Sequence, residues 1–286
     1  MTWNPATVEL IATYWTLAGG ATPHTGPEHS LFDFKDRVEA CAKVGFKGIG
    51  FWHSDLDMIL TKWTLPEMKT ILDANGMKYI EIEFLADWFR DGEEKRQSDI
   101  RKKKLFEVYE ALGARHLKVG DFEHKDTPMP KVIESFASLC KDADQHGVRV
   151  VYELMPFAMV DNIPDTLTML KGAGAKNGGV IFDMWHMAKM GVPYEQIASF
   201  PMEYFFAVEI NDGTFKCSWS LLEDTTNHRL LCGDGEFDIR GFLGACWKAG
   251  YRGPVGIEVL NKELRTRPLD ELASRAYTTT RAQFRP

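Results

Sequence analysis

Four carboxylate side chains stand at the ends of four apolar segments in the second half of the sequence. Glu153 ends the segment Val-Val-Tyr-Glu, Asp183 ends Gly-Val-Ile-Phe-Asp, and Glu209 and Glu258 lie at the ends of two similar runs. Apolar runs of this length are typical of buried parallel strands. If these strands lie side by side, the four acids converge. Convergent carboxylates hold a divalent cation or share protons, so we expect one of these two arrangements.

The elements that must position these acids alternate between strand and helix along the whole chain. Alternation of this kind predicts the α/β class with a parallel sheet. Eight strand–helix units in 286 residues, without a linker or a break in composition, predict a closed (β/α)8 TIM barrel that forms one domain over residues 1–286. The predicted strands are 8–14, 48–52, 78–85, 115–119, 148–153, 179–183, 204–210 and 255–259.

A doubly wound open sheet is the competing architecture for the same alternation. Such a sheet usually has a glycine-rich turn of the form GxGxxG after its first strand. Residues 14–20 here read Tyr-Trp-Thr-Leu-Ala-Gly-Gly, which lacks that pattern and favours the barrel. In a barrel the carboxyl ends of all strands face one mouth, where the active site lies.

The bulk composition narrows the classes of partner. A formal net charge of −7 argues against nucleic acid and anionic membrane surfaces, and the basic run at 101–104 is typical of a solvated helix face. No apolar run approaches the length of a membrane span, and the first residues lack the features of a signal peptide. Five cysteines without CxxC spacing indicate reduced thiols, so we expect a cytoplasmic protein.

Several motifs together resemble one family. They are Glu153 three residues before a proline, the pair Asp183-x-x-His186, the run 209–212 (Glu-Ile-Asn-Asp), the run 233–238 (Gly-Asp-Gly-Glu-Phe-Asp), and the run 250–258 that begins Gly-Tyr and ends in Glu258. The chain resembles the xylose-isomerase-like TIM barrels, within the sugar phosphate isomerase and epimerase superfamily. That group includes tagatose and psicose epimerases, inosose isomerases and dehydratases, and enzymes that resemble C-glycoside deglycosidases.

The resemblance implies a role for each matching residue. Glu153 and Glu258 match two glutamates that bind the metal and flank the reacting carbons. Asp183 matches a metal ligand, and His186 matches a residue that contacts substrate oxygens. The fourth ligand of the family is usually a histidine, whereas this chain has Glu209 at that position.

Glu209 changes the expected charge of the site. Four carboxylates around one dication would leave a net charge of about −2, which calls for a protonated acid or a nearby cation. The candidates for that cation are Lys216, His228 and Arg229 in the long loop 214–235. A site built from carboxylate oxygens favours Mn²⁺ or Mg²⁺ over Zn²⁺.

The chemistry expected of such a site is removal of a proton from the carbon next to a carbonyl. A cation on the carbonyl oxygen stabilises the enediolate, and a carboxylate takes the proton. Return of the proton to the opposite face gives epimerisation, and its return at the neighbouring carbon gives isomerisation. Loss of a β-substituent gives a lyase, such as an inosose dehydratase or a 3-keto-glycoside deglycosidase subunit. The sequence leaves all three outcomes open.

Aromatic residues near the predicted strand ends bear on the substrate. Their number favours a small carbohydrate that carries an apolar or aromatic portion. The sequence leaves open whether the chain forms a homo-oligomer or works with a partner subunit. These aromatic residues are Trp15, Trp52, Phe84, Trp88, Phe157, Trp185 and Trp219.

Two other functions remain as alternatives. A metal-dependent endonuclease for abasic DNA, of the related barrel family, would need several histidine ligands, and only His186 stands at a predicted strand end. A non-catalytic sugar-binding subunit would be supported by Glu209 in place of the family histidine.

Overall fold

Eight parallel strands form a closed barrel in the computed structural model, which describes residues 7–124 and 126–284. Each strand pairs with its neighbours in chain order, and β1 pairs with β8, so Leu10 lies opposite Val255 and Ala12 opposite Ile257. The TIM-barrel prediction is therefore confirmed. The strands are β1 Leu10–Ala12, β2 Gly48–Trp52, β3 Tyr79–Leu85, β4 His116–Val119, β5 Val150–Glu153, β6 Gly178–Asp183, β7 Phe205–Ile210 and β8 Val255–Ile257.

Helices cover the outside of the barrel. Their apolar faces pack on the strands because strands buried on both sides must be covered by another layer. The described helices are α1 Phe34–Val44, α2 His53–Ile59, α3 Leu65–Ala74, α4 Gly92–Leu112, α5 Met129–Asp144, α6 Ile163–Ala173, α7 Met184–Lys189, α8 Tyr194–Ala198, α9 Leu221–Asn227, α10 Ile239–Ala249 and α11 Leu269–Gln283. None of these helices is long and apolar enough to cross a membrane.

Helices α2, α7 and α9 and the start of helix α4 differ from what the sequence pattern predicts. Helix α4 begins at Gly92, in a stretch predicted as a charged loop, and its first turns are held by pairs such as Glu93–Arg96. Helix α9 lies inside the loop 214–235, where Ser220 caps its first turn by accepting a hydrogen bond from the Glu223 N–H. Helix α7 begins directly after β6.

The inside of the barrel carries charged side chains as well as apolar ones. Glu83 on β3 and Lys118 on β4 are paired in register and lie on the inner face, with their charged atoms 3.1 Å apart. Side chains two apart on a strand share a face, so Glu81 is also interior, where it accepts a hydrogen bond from Arg115. The assignment of residues 1–286 to one domain stays a prediction, since both chain ends lie outside the described residues.

The cap of helix α6 gives a first test of the local structure. The Asn162 side chain accepts a hydrogen bond of 2.9 Å from the Asp165 N–H. Because Asn162→Ala leaves that N–H without its partner, we expect the free energy of unfolding to fall by about 1 kcal/mol. Urea denaturation measures it. Thr168→Ala in the same helix, which removes an exposed hydroxyl bonded to Pro164, is the control; equal losses would contradict the capping role.

Candidate active site

Three of the four predicted acids converge inside the mouth of the barrel. Glu153 ends β5, Glu209 lies within β7, and Glu258 follows β8 directly. One carboxylate oxygen from each lies within 4.8 Å of the other two, and all three residues are buried. We call these three residues the acid triad. The convergence expected from the sequence is thus observed for three acids.

A glycine on the neighbouring strand makes room for the central acid. Glu209 on β7 is paired with Gly256 on β8. A Cβ atom at position 256 would lie only 2.8 Å from the Cγ atom of Glu209, which is closer than packed carbon atoms approach each other. Any larger residue would therefore push the Glu209 side chain out of the triad.

The side chain of Lys118 lies at the centre of the acid triad. Its Nζ atom is 2.9 Å from Glu209, 3.0 Å from Glu258 and 3.6 Å from Glu153. A fourth carboxylate, Glu83, is 3.1 Å away. Lys118 is fully buried, so its ammonium group is neutralised by these acids in place of water.

The charges in this cluster shift one another's pKa values. Burial alone would lower the pKa of Lys118, but Glu153, Glu209 and Glu258 hold it well above its ordinary value. Burial raises the pKa of Glu209 well above its usual range and that of Glu83 to about 8, despite the opposing effect of Lys118. The pKa of Glu153 is about 2: burial raises it, but Lys118 and the neighbouring His186 lower it by a larger amount. At neutral pH, Lys118 therefore keeps its positive charge and Glu153 its negative charge.

Asp183, the fourth predicted acid, lies beside the triad and has other partners. Its carboxylate accepts hydrogen bonds from the backbone N–H of His186, in the first turn of helix α7, and from the side-chain amide of Asn211 at 2.7 Å. Arg229 lies 3.2 Å from the same carboxylate. The metal-ligand role of Asp183 stays a prediction.

Arg229 is the second cation of the site. Its Nη1 atom donates to Glu258 at 2.9 Å, and its other nitrogens donate to the hydroxyl of Thr225 on α9. The guanidinium lies over the Trp185 ring, 5.3 Å from the centroid. Arg229 is therefore fixed on three sides. It is one of the three cations named from the sequence; Lys216 is exposed, and His228 pairs with Glu223.

His186 lies between Glu153 and Arg229. Its Nε2 atom is 3.6 Å from Glu153 and 3.4 Å from the Nη2 atom of Arg229. The ring is buried, and its Nδ1 atom has no hydrogen-bond partner among the described residues. His186 therefore has one ring nitrogen near Glu153 and another without a hydrogen-bond partner among the described residues.

A pocket opens above the triad. It is lined by Glu83, Glu153, Glu258, His186 and Arg229, together with aromatic and aliphatic side chains. Four of the aromatic residues named from the sequence line it: Trp15, Trp52, Phe84 and Phe157. The other three do not, because Trp88 packs on Phe136, Trp185 is buried and donates to Asp224, and Trp219 is half-exposed and stacks on His228.

Lys118 and Phe122 were not predicted from the sequence. A charged residue inside an apolar strand is the signal for Lys118, because a lysine facing into a barrel needs carboxylate partners. Phe122 lines the pocket next to Phe84. It follows the end of β4 by three residues, and nothing in its sequence context distinguishes it from a packing residue.

The triad offers the oxygen ligands that a divalent ion needs, but Lys118 occupies its centre. Metal–oxygen distances in proteins are about 2.0–2.6 Å, so an ion held by all three acids would lie close to the ammonium group. At a separation of about 3 Å the two cations repel by about 10 kcal/mol even at an effective dielectric constant of 20. In the described arrangement, the residues therefore do not fit a divalent ion within the triad.

Comparisons with known proteins agree with the fold. Residues 38–280 match the model of the xylose isomerase-like TIM barrel family. The chain belongs to this family. A protein of known structure, described as the IOLI protein with a bound zinc atom, superposes with a TM-score of 0.83 at 18% identity, over 96% of this chain and 98% of its own. A D-allulose 3-epimerase from a Methylomonas species gives a TM-score of 0.69 at 14% identity, covering 96% and 98%.

Curated relatives within the xylose isomerase-like family carry two activities in their names. A 3-dehydroshikimate dehydratase of Pseudomonas aeruginosa is 26% identical over 82% of this chain, but this chain spans only 37% of that protein. An inosose isomerase of Bacillus velezensis is 23% identical over 87% of this chain and 91% of its own length. Related proteins are therefore sugar isomerases, epimerases and dehydratases.

Proposed function

We propose that this chain is a carbohydrate enzyme, an isomerase or epimerase of a sugar or keto-polyol, that removes a proton from the carbon next to a carbonyl. The observation that carries the proposal is that Glu153 and Glu258 both line one pocket together with His186 and Arg229. A carboxylate within reach of a C–H bond is a general base. A fixed cation beside it stabilises the negative charge that develops on the carbonyl oxygen.

The roles of the pocket residues follow from their contacts. Glu153 is ionised, as its pKa of about 2 requires, which makes it available but weakly basic. The Glu258 carboxylate forms ion pairs with both Arg229 and Lys118. Arg229 binds the carbonyl oxygen, and His186 contacts a neighbouring hydroxyl through the nitrogen that has no partner among the described residues.

A lyase acting on an oxidised sugar is the second candidate. It shares the first step, and the similarity to a 3-dehydroshikimate dehydratase over 82% of this chain favours it. The apolar mouth formed by Trp15, Trp52 and Phe84 suits a cyclic substrate with one apolar face. The abasic-site endonuclease is less supported, because the acid triad contains carboxylates and no histidine.

The metal-dependent form of this function, with Mn²⁺ or Mg²⁺, is the version predicted from the sequence. The acid triad and the zinc in a related structure support it. The metal-dependent form would require the Lys118 side chain to leave the centre of the acid triad. A homo-oligomer, a partner subunit and a cytoplasmic location stay predictions.

Hydrogen exchange with solvent tests the proposed function. The protein is incubated in D₂O with ketohexoses, inososes, 3-keto-glycosides and 3-dehydroshikimate, and each compound is followed by proton NMR. We expect one class to lose the signal of the C–H next to its carbonyl and to form an isomer, an epimer or a dehydrated product. A folded protein that exchanges no proton in any class would contradict the proposal.

A further inference from the structure

We propose that Lys118 and Arg229 together take the place of a divalent ion in this site, Lys118 in the ion's position among the carboxylates and Arg229 on the side that faces the substrate. The role of Arg229 rests on the proposed function. The position of Lys118 does not, because it concerns cation binding alone. The two can therefore be tested separately.

The surroundings of Lys118 are those of a cation site that is already filled. Four carboxylates, Glu83, Glu153, Glu209 and Glu258, have oxygens within 3.6 Å of its Nζ atom. They come from four different elements, β3, β5, β7 and the end of β8. An ammonium group has three N–H donors, so the four acids compete for them. The position among the acids that a metal ion would take is therefore occupied.

This arrangement gives a physical reason for a glutamate, in place of a histidine, at position 209. A neutral histidine at this position could bind a metal ion but could not neutralise an ammonium group. Glu209 is the predicted departure from the family pattern, and it lies 2.9 Å from Lys118. Glu209 and Lys118 therefore form an ion pair in which each residue gives a physical reason for the other.

Arg229 supplies the charge that Lys118 cannot present to a substrate. Lys118 does not line the pocket, whereas Arg229 does. The guanidinium is anchored to Asp183, Glu258 and Thr225, which fixes its direction in advance. Together the two side chains carry the same two positive charges as one divalent ion.

The reaction balances without a metal. The C–H bond next to the carbonyl breaks, its proton goes to a glutamate, and the electron pair moves to the carbonyl oxygen held by Arg229. Return of a proton from a glutamate to carbon restores the charges, so no oxidant, reductant or co-reactant is needed. Donation by a charged guanidinium is an established way to stabilise such an oxyanion.

Metal binding gives the first test. The wild-type protein is dialysed against Mn²⁺, Mg²⁺ or Zn²⁺, and bound metal is measured by mass spectrometry. We expect less than about one ion per ten chains, and a melting temperature that does not change with EDTA, because a bound ion would stabilise the fold. About one ion per chain, removed by EDTA with a lower melting temperature, would overturn the proposal.

Removing the lysine gives the second test. Lys118→Met leaves the acids without their cation, so we expect it to bind about one Mn²⁺ per chain and to melt at a higher temperature when the ion is added. Lys189→Met is the matched control, because Lys189 is also buried and paired, with Asp224, but lies outside the triad; it should gain no metal.

A second variant keeps the test valid if Lys118→Met does not fold. The double substitution Lys118→Met and Glu209→His removes one charge of each sign and restores the histidine typical of the family. It should bind Mn²⁺ or Zn²⁺. If wild type, Lys118→Met and the double variant all bind no metal, Lys118 does not stand in an ion's position and the proposal is overturned.

The role of Arg229 is tested by activity in EDTA once a substrate is known. The wild-type enzyme should keep full turnover after chelation, whereas Arg229→Gln should lose at least about a hundredfold in kcat, the effect typical of a lost oxyanion donor. Loss of wild-type turnover in EDTA would overturn this half. Absence of any substrate would instead contradict the proposed function and leave the metal-binding result intact.

Discussion

Substituting glutamine for either glutamate of the pocket should lower turnover by at least about a hundredfold, because a general base contributes roughly 10²–10⁴ to the rate. Glu153→Gln and Glu258→Gln keep the size of the side chain and one oxygen, but each removes a group that can accept a proton. Both residues line the pocket. Steady-state kinetics on the substrate identified by hydrogen exchange measures the effect.

The two variants should also differ in kind. If the enzyme epimerises, each variant should still exchange the substrate proton with D₂O in one stereoisomer only, and the two should not share that isomer. If it isomerises or eliminates, one glutamate should dominate. A pKa of about 2 makes Glu153 a weak base, so we expect Glu258→Gln to have the larger effect on kcat in that case.

Glu81→Gln is the matched control for these variants. Glu81 is buried inside the barrel like the other two, but it pairs with Arg115 and does not line the pocket. Its substitution should lower stability while leaving the turnover of the folded protein within a few-fold of wild type. Near-normal turnover in Glu153→Gln and Glu258→Gln would mean that the chemistry happens elsewhere.

The barrel and the convergence of the acids could be predicted because both follow from local patterns. A strand such as Val150–Glu153 is apolar until its last residue. Eight such strands, alternating with helices, form a closed barrel in chain order. Their carboxyl ends must meet, so the positions of Glu153, Glu209 and Glu258 follow from chain order. Which of the acids touch each other depends on register and could not be predicted.

The cations were harder to predict because their partners are distant in sequence. Lys118 is 140 residues from Glu258, and its strand, His-Leu-Lys-Val, gives no sign of which side faces inward. Arg229 could be named as a candidate only because it lies in the long loop. The position of its guanidinium depends on helix α9, because Thr225 on that helix accepts its hydrogen bonds. Helix α9 has only seven residues, which is too short for sequence periodicity to identify.

Lys118 should also be the residue whose loss costs the most stability. Removing one partner of a buried ion pair costs about 3–5 kcal/mol, because the remaining charge is left without water or a counter-ion. Lys118 has four carboxylates within 3.6 Å, so Lys118→Met in metal-free buffer should lie in this range. Urea denaturation in the presence of EDTA measures the change in the free energy of unfolding.

A double-mutant cycle separates the ion pairs from the packing of the lysine side chain. If the charges cause the loss, Glu209→Gln should cost less in the Lys118→Met background than in the wild type, since it removes an acid that has lost its partner. Lys43→Met, at an exposed pair with Asp270, should cost at most about 1 kcal/mol. A Lys118→Met loss as small as that of Lys43→Met would show that the carboxylates do not depend on the ammonium group, and that Lys118 is not the cation that holds the acid triad together.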